Sequence, residues 1–557
     1  MKIIIIGAVA GGTSAGAKAR RGDENAQITI YDKDKFISYS GCGLPYFISK
    51  EVELKSIIPR NANFFKKKYN IDIHTEHEVL KIDKDKKTVL VKNLITGESF
   101  VDAYDKLVIS TGATPFVPNI KGINNKGIFF LRNINDAINI KEFIAQHSAK
   151  KAVVVGSGFI GLEMVESLAH LGLEVTLVEI SQKLTPNLDE DMAITLENRL
   201  LKKGVSVKKG VTITEIFGEE NFVASNQNIV VPREIKFSNE ETIPYDIIIM
   251  ATGVRPNVKL AQDIGIEIGE TGAIKVTPKL ETNVDNIYAC GDCAEMFCFI
   301  THKPNYRPLG STANKTGRIV GENLTGGNIE YRGNISTGIF RVFDIVVAST
   351  GLSESEAVKA GYEVEICHCI RPNKNTYMNS TEIMVKGIAD KNTHKLLGVQ
   401  LIGGEGTDKR VDVFATLITY GAKVDELFHL DLAYAPPFST SKDPVQYTGM
   451  ILDNSINKNR GLITTDELKT LDPLKVQIVD ARSSHDFENK GSVKDAINIS
   501  QKNVRSNLHK LDKEIPVVVY CNKGVTGNAV QNILINNDFA NVKNLSGGHR
   551  LYKELEE

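Results

Sequence analysis

The 557-residue chain has no appreciable net charge, no long apolar run and no paired cysteine framework. Lys and Arg number 67 against 68 Asp and Glu, so the net charge is −1 and the pI about 6.9. No global field therefore draws nucleic acid or an anionic membrane, and any anion site must be a local cluster. No segment approaches the 18 or so apolar residues of a membrane span. The one apolar N-terminal run, MKIIII, breaks at Gly7 and leads into small residues that read as a turn and a helix, not as a signal peptide. A soluble, cytoplasmic protein is expected. Seven cysteines, an odd and scattered set, do not make a secreted disulfide scaffold; in a reducing compartment they are thiols.

What is present is ordinary globular composition, 42% hydrophobic and 24% charged, in a chain long enough for about three to five domains. KIIIIGAVAGG is a β-branched strand entering glycines, followed by the helix pattern TSAGAKARR. KAVVVGSGFIGLEMVESLAHLG repeats that design, and EVTLVEI follows as a strand. Two such units predict two dinucleotide-binding domains. DKLVISTGATP and DIIIMATGVRPN share an acidic residue, an apolar strand, Thr-Gly and a proline, and read as strands that return each nucleotide domain to its neighbour. From about residue 326 to 450 the glycine motifs stop and an α+β pattern begins. The polar, Asn-rich ILDNSINKNRGL has linker character, and beyond it strand and helix alternate again in a last α/β unit.

Gly7, Gly11 and Gly12 lie at a strand-to-helix turn where a pyrophosphate can approach the helix N-terminus. The middle glycine of the usual motif is Val9. Asp32, with Lys33 beside it, ends the next strand and is placed to accept from a ribose hydroxyl. In the second copy Gly156, Gly158 and Gly161 are complete and the acidic partner is Glu179. A carboxylate there accepts from a free 2′-hydroxyl and repels a 2′-phosphate, which favours NADH over NADPH. Cys290-x-x-Cys293 has no second pair nearby, and Cys367 and Cys369 alternate on an apparent strand; both sets read as core.

At Tyr288-Ala-Cys-Gly-Asp292 the chain resembles the two-dinucleotide flavoprotein disulfide reductases, whose other markers match Thr111-Gly112 and Thr252-Gly253. The resemblance implies FAD, with Asp292 on its ribityl chain, and NADH lying along residues 156–161 and Glu163. It also implies that the segment SYSGCGLPYFI passes over the flavin and that Cys42 is the redox cysteine. Position 47, which holds a second cysteine in the glutathione type, is Phe, so the partner of Cys42 is a small thiol or an oxygen. A helix N-terminus or a nearby cation is expected to stabilise its thiolate.

A single cysteine before Gly-Leu-Pro-Tyr resembles the coenzyme A-disulfide reductase branch. That implies coenzyme A phosphates on the helix face of Ser14, Lys18 and Arg21, with Ser38 near the pantetheine arm. It further implies a homodimer in which Tyr434 and Lys442 (from YAPPFSTSKDP) and, by a looser match, Tyr377 reach the partner's thiol. The C-terminal unit resembles a rhodanese domain, with Cys521 as sulfur carrier on a loop whose amides surround the sulfur. The usual loop Arg is Thr526, and Lys523 is a candidate replacement; Gly491-Ser-Val493 departs from the family's Gly-His-Ile.

The fold class expected is α/β. The expected parts are an FAD domain (1–115 and 256–325), an NADH domain (116–255), a dimer-interface domain (326–449), a linker (450–462) and a rhodanese-like domain (463–557). The function implied is NADH-dependent, FAD-mediated reduction of coenzyme A persulfide, polysulfide or coenzyme A disulfide at Cys42, with sulfur supplied by Cys521. The alternatives are an NADH oxidase or peroxidase that cycles a Cys42 sulfenic acid, and a redox-sensing or sulfur-delivery partner protein. No metal, nucleic acid or membrane partner is expected.

Overall fold

A computed structural model describes residues 1–218 and 233–556 of the chain. Residues 219–232, inside the span 116–255, and residue 557 lie outside the described residues. The chain groups into two compact units, residues 1–182 with 204–334, and 183–203 with 335–557.

The first unit carries two parallel five-stranded sheets. Strand β1 (Lys2–Ile6) enters helix α1 (Ala10–Gly22), and β2 (Gln27–Tyr31) lies parallel beside β1. Lys106–Ile109 flanks β1 on its other side, and Ile287–Ala289, far downstream, completes that edge; Ile71–His74 closes the opposite one. The sheet is thus built from both ends of an interrupted domain. Its strands are near-continuous Ile and Val because both faces are covered, as parallel sheets require. A short turn, Gly41–Gly43, precedes helix α2 (Leu44–Ile48). The second sheet centres on β3 (Lys151–Val155), which enters α3 (Phe159–His170) and pairs with β4 (Glu174–Glu179). Ile247–Met250 lies on its other side. The two Thr-Gly segments meet as an antiparallel pair, Ala113–Pro115 against Val254–Pro256, which is the return path their shared form suggested.

Helix α4 (Glu190–Lys202) falls within the span 116–255 yet groups with the second unit. The reason is polar as well as apolar. Asp191 in its first turn accepts from Lys386 Nζ at 2.8 Å, and Thr195 Oγ1 donates to Glu554 at 3.0 Å. Back in the first unit, α5 (Gly310–Leu324) packs on α1 through small residues. A Cβ on Gly317 would run into the backbone of Gly11, so the helices approach at glycine distance.

The second unit holds an antiparallel five-stranded sheet, ordered 338–342, 345–351, 396–403, then β6 (Glu382–Asp390) and β5 (Val364–Pro372). Helix α6 (Pro444–Asn457) covers it. The stretch 450–462, whose composition suggested a linker, is helical to Asn457 and enters a short strand at Leu462. Asp443 caps that helix, Pro444 occupies its first turn, and Val445, Thr448 and Leu452 form its buried stripe. The Asn-rich residues are its less buried faces. The last sheet is parallel, ordered Leu462–Ile463, β9 (Val542–Leu545), β8 (Val517–Tyr520), β7 (Gln477–Asp480), Ile497–Asn498. Helix α7 (Val525–Ile535) follows β8 and α8 (Gly548–Glu556) follows β9. Among the described residues no helix is long and apolar enough to cross a membrane.

Candidate active site

The first glycine turn is shaped by contact. Gly7 sits at φ +106°, and a Cβ on Gly12 would strike the Gly7 carbonyl, so neither position accepts a side chain. Val9, in place of the middle glycine, occupies the N-cap of α1, and no side chain caps that end. An uncapped helix start of this kind suits a phosphate. Asp32 accepts from the Ala8 amide at 2.6 Å and the Asp34 amide at 2.8 Å, which aims it across the turn; burial raises its pKa. Lys33 beside it is exposed.

Asp292 sits on the turn after Ile287–Ala289. Its Oδ2 is 3.0 Å from Arg132 Nη2, and Tyr306 donates its hydroxyl hydrogen to the Asp292 carbonyl at 2.9 Å. Thr111 Oγ1 donates to the Asn257 carbonyl (2.7 Å) while Asn257 Nδ2 returns a bond to the Thr111 carbonyl (2.8 Å), tying the two Thr-Gly segments together. Gly112 is left-handed, and a Cβ there would lie 3.3 Å from Arg132. Arg132, Tyr306 and Asn257 escaped the sequence reading. The signal for Arg132 was its place directly before a capping box, Asn133 with Asp136.

The second turn repeats the first. Gly156 is at φ +102°, and a Cβ on Gly161 would meet its carbonyl. Gly158 caps α3 and faces open space. Glu179 Oε2 accepts from the Ser157 amide (2.9 Å) and hydroxyl (2.6 Å), and Oε1 from the Ser181 amide (2.9 Å). These bonds fix a carboxylate at the end of β4, beside Ile180, which is 70% exposed. Thr252 donates to the Phe116 carbonyl at 2.7 Å and places Gly253 in its left-handed turn.

Cys42 lies in the Gly41–Gly43 turn, exposed, and all seven cysteines are unpaired. Phe47, five positions on, is buried under the Lys141 ammonium, 4.1 Å from its ring centroid. The expected stabilisation of the thiolate is not what this environment provides. The protein walls around the turn strip enough water to push the Cys42 pKa up, and Glu163 and Asp292 push it further. Arg132 opposes them and does not prevail. Ser38, near the turn, is left-handed and donates its amide to Ala8. Cys290, Cys293, Cys367 and Cys369 are buried, and desolvation pushes all four thiols up, so each belongs to the core, where the thiolate is disfavoured.

The basic face of α1 divides. Lys18 ion-pairs with Glu322 on α5, and Ser14 Oγ donates to Asn314 at 2.7 Å. Arg21 instead turns to Tyr69, with its guanidinium 5.6 Å from the ring centroid. Spacing alone set Lys18 and Arg21 on one face; the carboxylate of Glu322 draws Lys18 aside. Arg21 is joined by a cluster the sequence reading missed: Arg60 over Phe64 and Lys68 over both Phe64 and Tyr69. The signal was the run Phe-Phe-Lys-Lys-Lys-Tyr, residues 64–69. Guanidinium, ammonium and aromatic faces together suit a phosphorylated, ring-bearing ligand.

In the second unit two loops carry the tyrosines. Asn375 Nδ2 lies 3.3 Å from the Tyr377 hydroxyl and 3.4 Å from that of Tyr434, so one amide spans both phenols. The rings are 73% and 52% exposed. Both loops hang on Arg410, which is fully buried and donates to the Asn373 carbonyl (2.9 Å), Ser439 Oγ (3.3 Å) and Asp443 Oδ2 (2.8 Å). Lys442 is exposed beside them.

Cys521 follows β8, buried, with the Gly524 amide 3.2 Å from its sulfur. The start of α8 clamps the same turn: the His549 amide donates to the Cys521 carbonyl (2.8 Å) and the Arg550 amide to that of Asn522 (3.0 Å). Gly548 is at φ +61°, where a Cβ would sit 2.5 Å from the Cys521 carbonyl oxygen. Asp480 and Arg482 form a buried pair, and Arg482 reaches the Gly491 carbonyl at 2.7 Å, so Gly491 serves through its backbone. Lys523, expected to supply the missing loop cation, is instead ion-paired with Glu382 at the start of β6. Behind the turn His368 Nδ1 meets Ser546 Oγ at 3.0 Å and its Nε2 meets Asp191 at 2.8 Å. Lys386, fully buried, binds Asp191, Asp189 and Glu354.

Comparison with known proteins assigns these regions. Residues 1–317 match the pyridine nucleotide-disulphide oxidoreductase family, residues 338–444 its dimerisation domain, and residues 464–555 the rhodanese-like domain. The chain is 35% identical over 454 residues to a coenzyme A disulfide reductase of Staphylococcus haemolyticus, covering 80% of this chain and 98% of the relative. The crystal structure of reduced Bacillus anthracis CoADR-RHD aligns with TM-score 0.95 and 34% identity, covering 100% of this chain and 98% of that one. An NAD-dependent persulfide reductase from A. fulgidus aligns with TM-score 0.90 and 35% identity, covering 99% and 100%.

Proposed function

The chain belongs to the pyridine nucleotide-disulphide oxidoreductases, and from that premise we propose that it reduces coenzyme A persulfide, polysulfide or coenzyme A disulfide with NADH, through FAD and the single cysteine Cys42. The carrying observation is one exposed thiol in the Gly41–Gly43 turn of a unit that also carries two glycine cradles, with a buried Phe at position 47. FAD and NADH, when bound, supply the electron pair that cleaves a sulfur–sulfur bond.

The chain's own residues do the rest. The uncapped start of α1 and Asp32 suit FAD's pyrophosphate and ribose, and Asp292, already aimed by Arg132, suits its ribityl chain. The start of α3 and Glu179 suit NADH; the fixed carboxylate disfavours a 2′-phosphate. Arg21, Arg60 and Lys68, on Phe64 and Tyr69, suit the phosphates and adenine of coenzyme A, with Ser14, Lys18 and Ser38 nearer its arm. Lys18 must first leave Glu322.

In the proposed turnover the Cys42 thiolate attacks the outer sulfur of R–S–SH and releases R–S⁻, leaving Cys42–S–SH. Two electrons from NADH then cleave that bond to hydrosulfide and the thiolate. With disulfide R–S–S–R, attack forms the mixed disulfide Cys42–S–S–R and releases R–S⁻, and two electrons then return the Cys42 thiolate and a second R–S⁻. Because desolvation by the surrounding protein and two carboxylates disfavour the Cys42 thiolate, a cation and a proton shuttle come from elsewhere. In a homodimer the partner subunit's Tyr434, Tyr377 and Lys442 fill that role and protonate the leaving sulfur. Cys521 takes sulfane sulfur on its amide-lined loop and passes it on to coenzyme A.

The test is anaerobic NADH consumption with coenzyme A disulfide, coenzyme A persulfide, polysulfide and, separately, oxygen. Rapid oxidation by a sulfur acceptor, abolished by Cys42→Ser, supports the reading. Consumption by oxygen alone overturns it in favour of an oxidase.

A further inference from the structure

The Cys521 loop brings a lysine next to a sulfur-carrying cysteine and then takes its charge away. Lys523, two residues past Cys521, is ion-paired with Glu382, which belongs to β6 of the dimerisation sheet and not to the rhodanese-like unit. The other loop positions at the start of α7 are Val525, exposed, and Thr526, both neutral. Of the arginines close by, Arg550 is paired with Glu554 at 2.9 Å and Arg482 with Asp480 at 2.6 Å.

A sulfur donor meets this mouth in one of two charge states. Thiosulfate is a dianion, and its transfer to a thiolate expels a second dianion, sulfite. An alkyl persulfide carries at most one negative charge at its reacting end and expels a thiolate. Loop amides alone stabilise one negative charge well; two need a free cation beside them. We infer that Glu382 biases the donor class of Cys521: by holding Lys523 it disfavours thiosulfate and leaves alkyl persulfides as the preferred sulfur source. The inference rests on the reading of Cys521 as a sulfur carrier. The step is Cys521–S⁻ + R–S–SH → Cys521–S–SH + R–S⁻, with one S–S bond broken, one formed and no net oxidation.

The partly exposed pair is weak enough to be undone by one substitution without unfolding the chain. The full-length Glu382→Gln protein therefore tests it, with intact-mass measurement of Cys521 persulfide after exposure to thiosulfate or to glutathione persulfide. Wild type is expected to load severalfold faster from the persulfide than from thiosulfate. Glu382→Gln is expected to gain thiosulfate loading by about fivefold or more, suppressed by added salt, as one freed charge near a dianion gives. The Glu382→Gln/Lys523→Ala double variant is expected to lose that gain while persulfide loading stays as in wild type. Equal loading of wild type from both donors, or a gain that survives removal of Lys523, overturns the inference and leaves the carrier reading intact. A Cys521 that loads from no donor overturns both.

Discussion

Cys42 and Cys521 are both single thiols on turns next to glycines, yet their surroundings are opposite. Cys42 is exposed, flanked by Glu163 and Asp292, with its pKa driven up. Cys521 is buried, an amide hydrogen points at its sulfur, and the start of α8 clamps its carbonyl. The first arrangement disfavours the thiolate; the second sets a backbone amide against the sulfur, where it stabilises negative charge. Reactivity here is a property of the turn's electrostatics and not of the cysteine.

The sharpest cut through that contrast is Cys42→Ser, expected to lower NADH-linked sulfur reduction by about 10³-fold or more while Cys521 still accepts sulfur. Loss of both functions in steady-state and mass measurements would break the division of labour. Next is Lys386→Met, which leaves Asp189, Asp191 and Glu354 facing one another without their buried cation. We expect the second unit to lose about 3–5 kcal/mol in thermal or denaturant unfolding, with the first unit unaffected. The pH sign is definite: Asp191 is held well below the ordinary carboxylate range by His368 and Lys386, against the cost of burial. Its contribution is therefore present above about pH 4 and lost as pH falls toward its depressed value.

Gly548→Ala attacks only the Cys521 side. The left-handed φ and the carbonyl in the way predict about 1–3 kcal/mol of local strain and slower persulfide loading, with disulfide reduction at Cys42 unchanged. Glu179→Ala with Ile180→Arg acts only on the Cys42 side, and is expected to shift NADH against NADPH kcat/KM by about tenfold toward NADPH, about 1.4 kcal/mol. The smallest effect belongs to Arg132→Gln. Arg132 is the cation favouring the Cys42 thiolate, so its removal moves the alkylation midpoint further up and slows alkylation severalfold near neutral pH, leaving Cys521 alone.

Much of this was legible in the residues because it is local. Glycines at strand-to-helix turns, Asp32 and Glu179 ending the following strands, and buried Cys367 and Cys369 all follow from short-range geometry, and the structure places them so. The redox and carrier roles proposed for Cys42 and Cys521 came from family resemblance carried by short motifs. What misled about the charges was a partner distant in sequence. Lys18 reads as a free cation until Glu322 is folded beside it, and Lys523 reads as a loop charge until Glu382 arrives from another sheet. Residues 450–457, read from composition as part of a linker, are helical, because composition does not reveal a buried stripe.

The sequence by itself therefore determined the two nucleotide folds, the antiparallel sheet, the last α/β unit and the positions of two candidate cysteines, since periodicity and turn chemistry act within a few residues. Only the tertiary structure decided which charges are free. Arg132 against Asp292, Lys386 among three carboxylates, and Arg410 under two loops are contacts across tens or hundreds of residues. Coulomb energies and desolvation depend on distance in space, which no local pattern encodes.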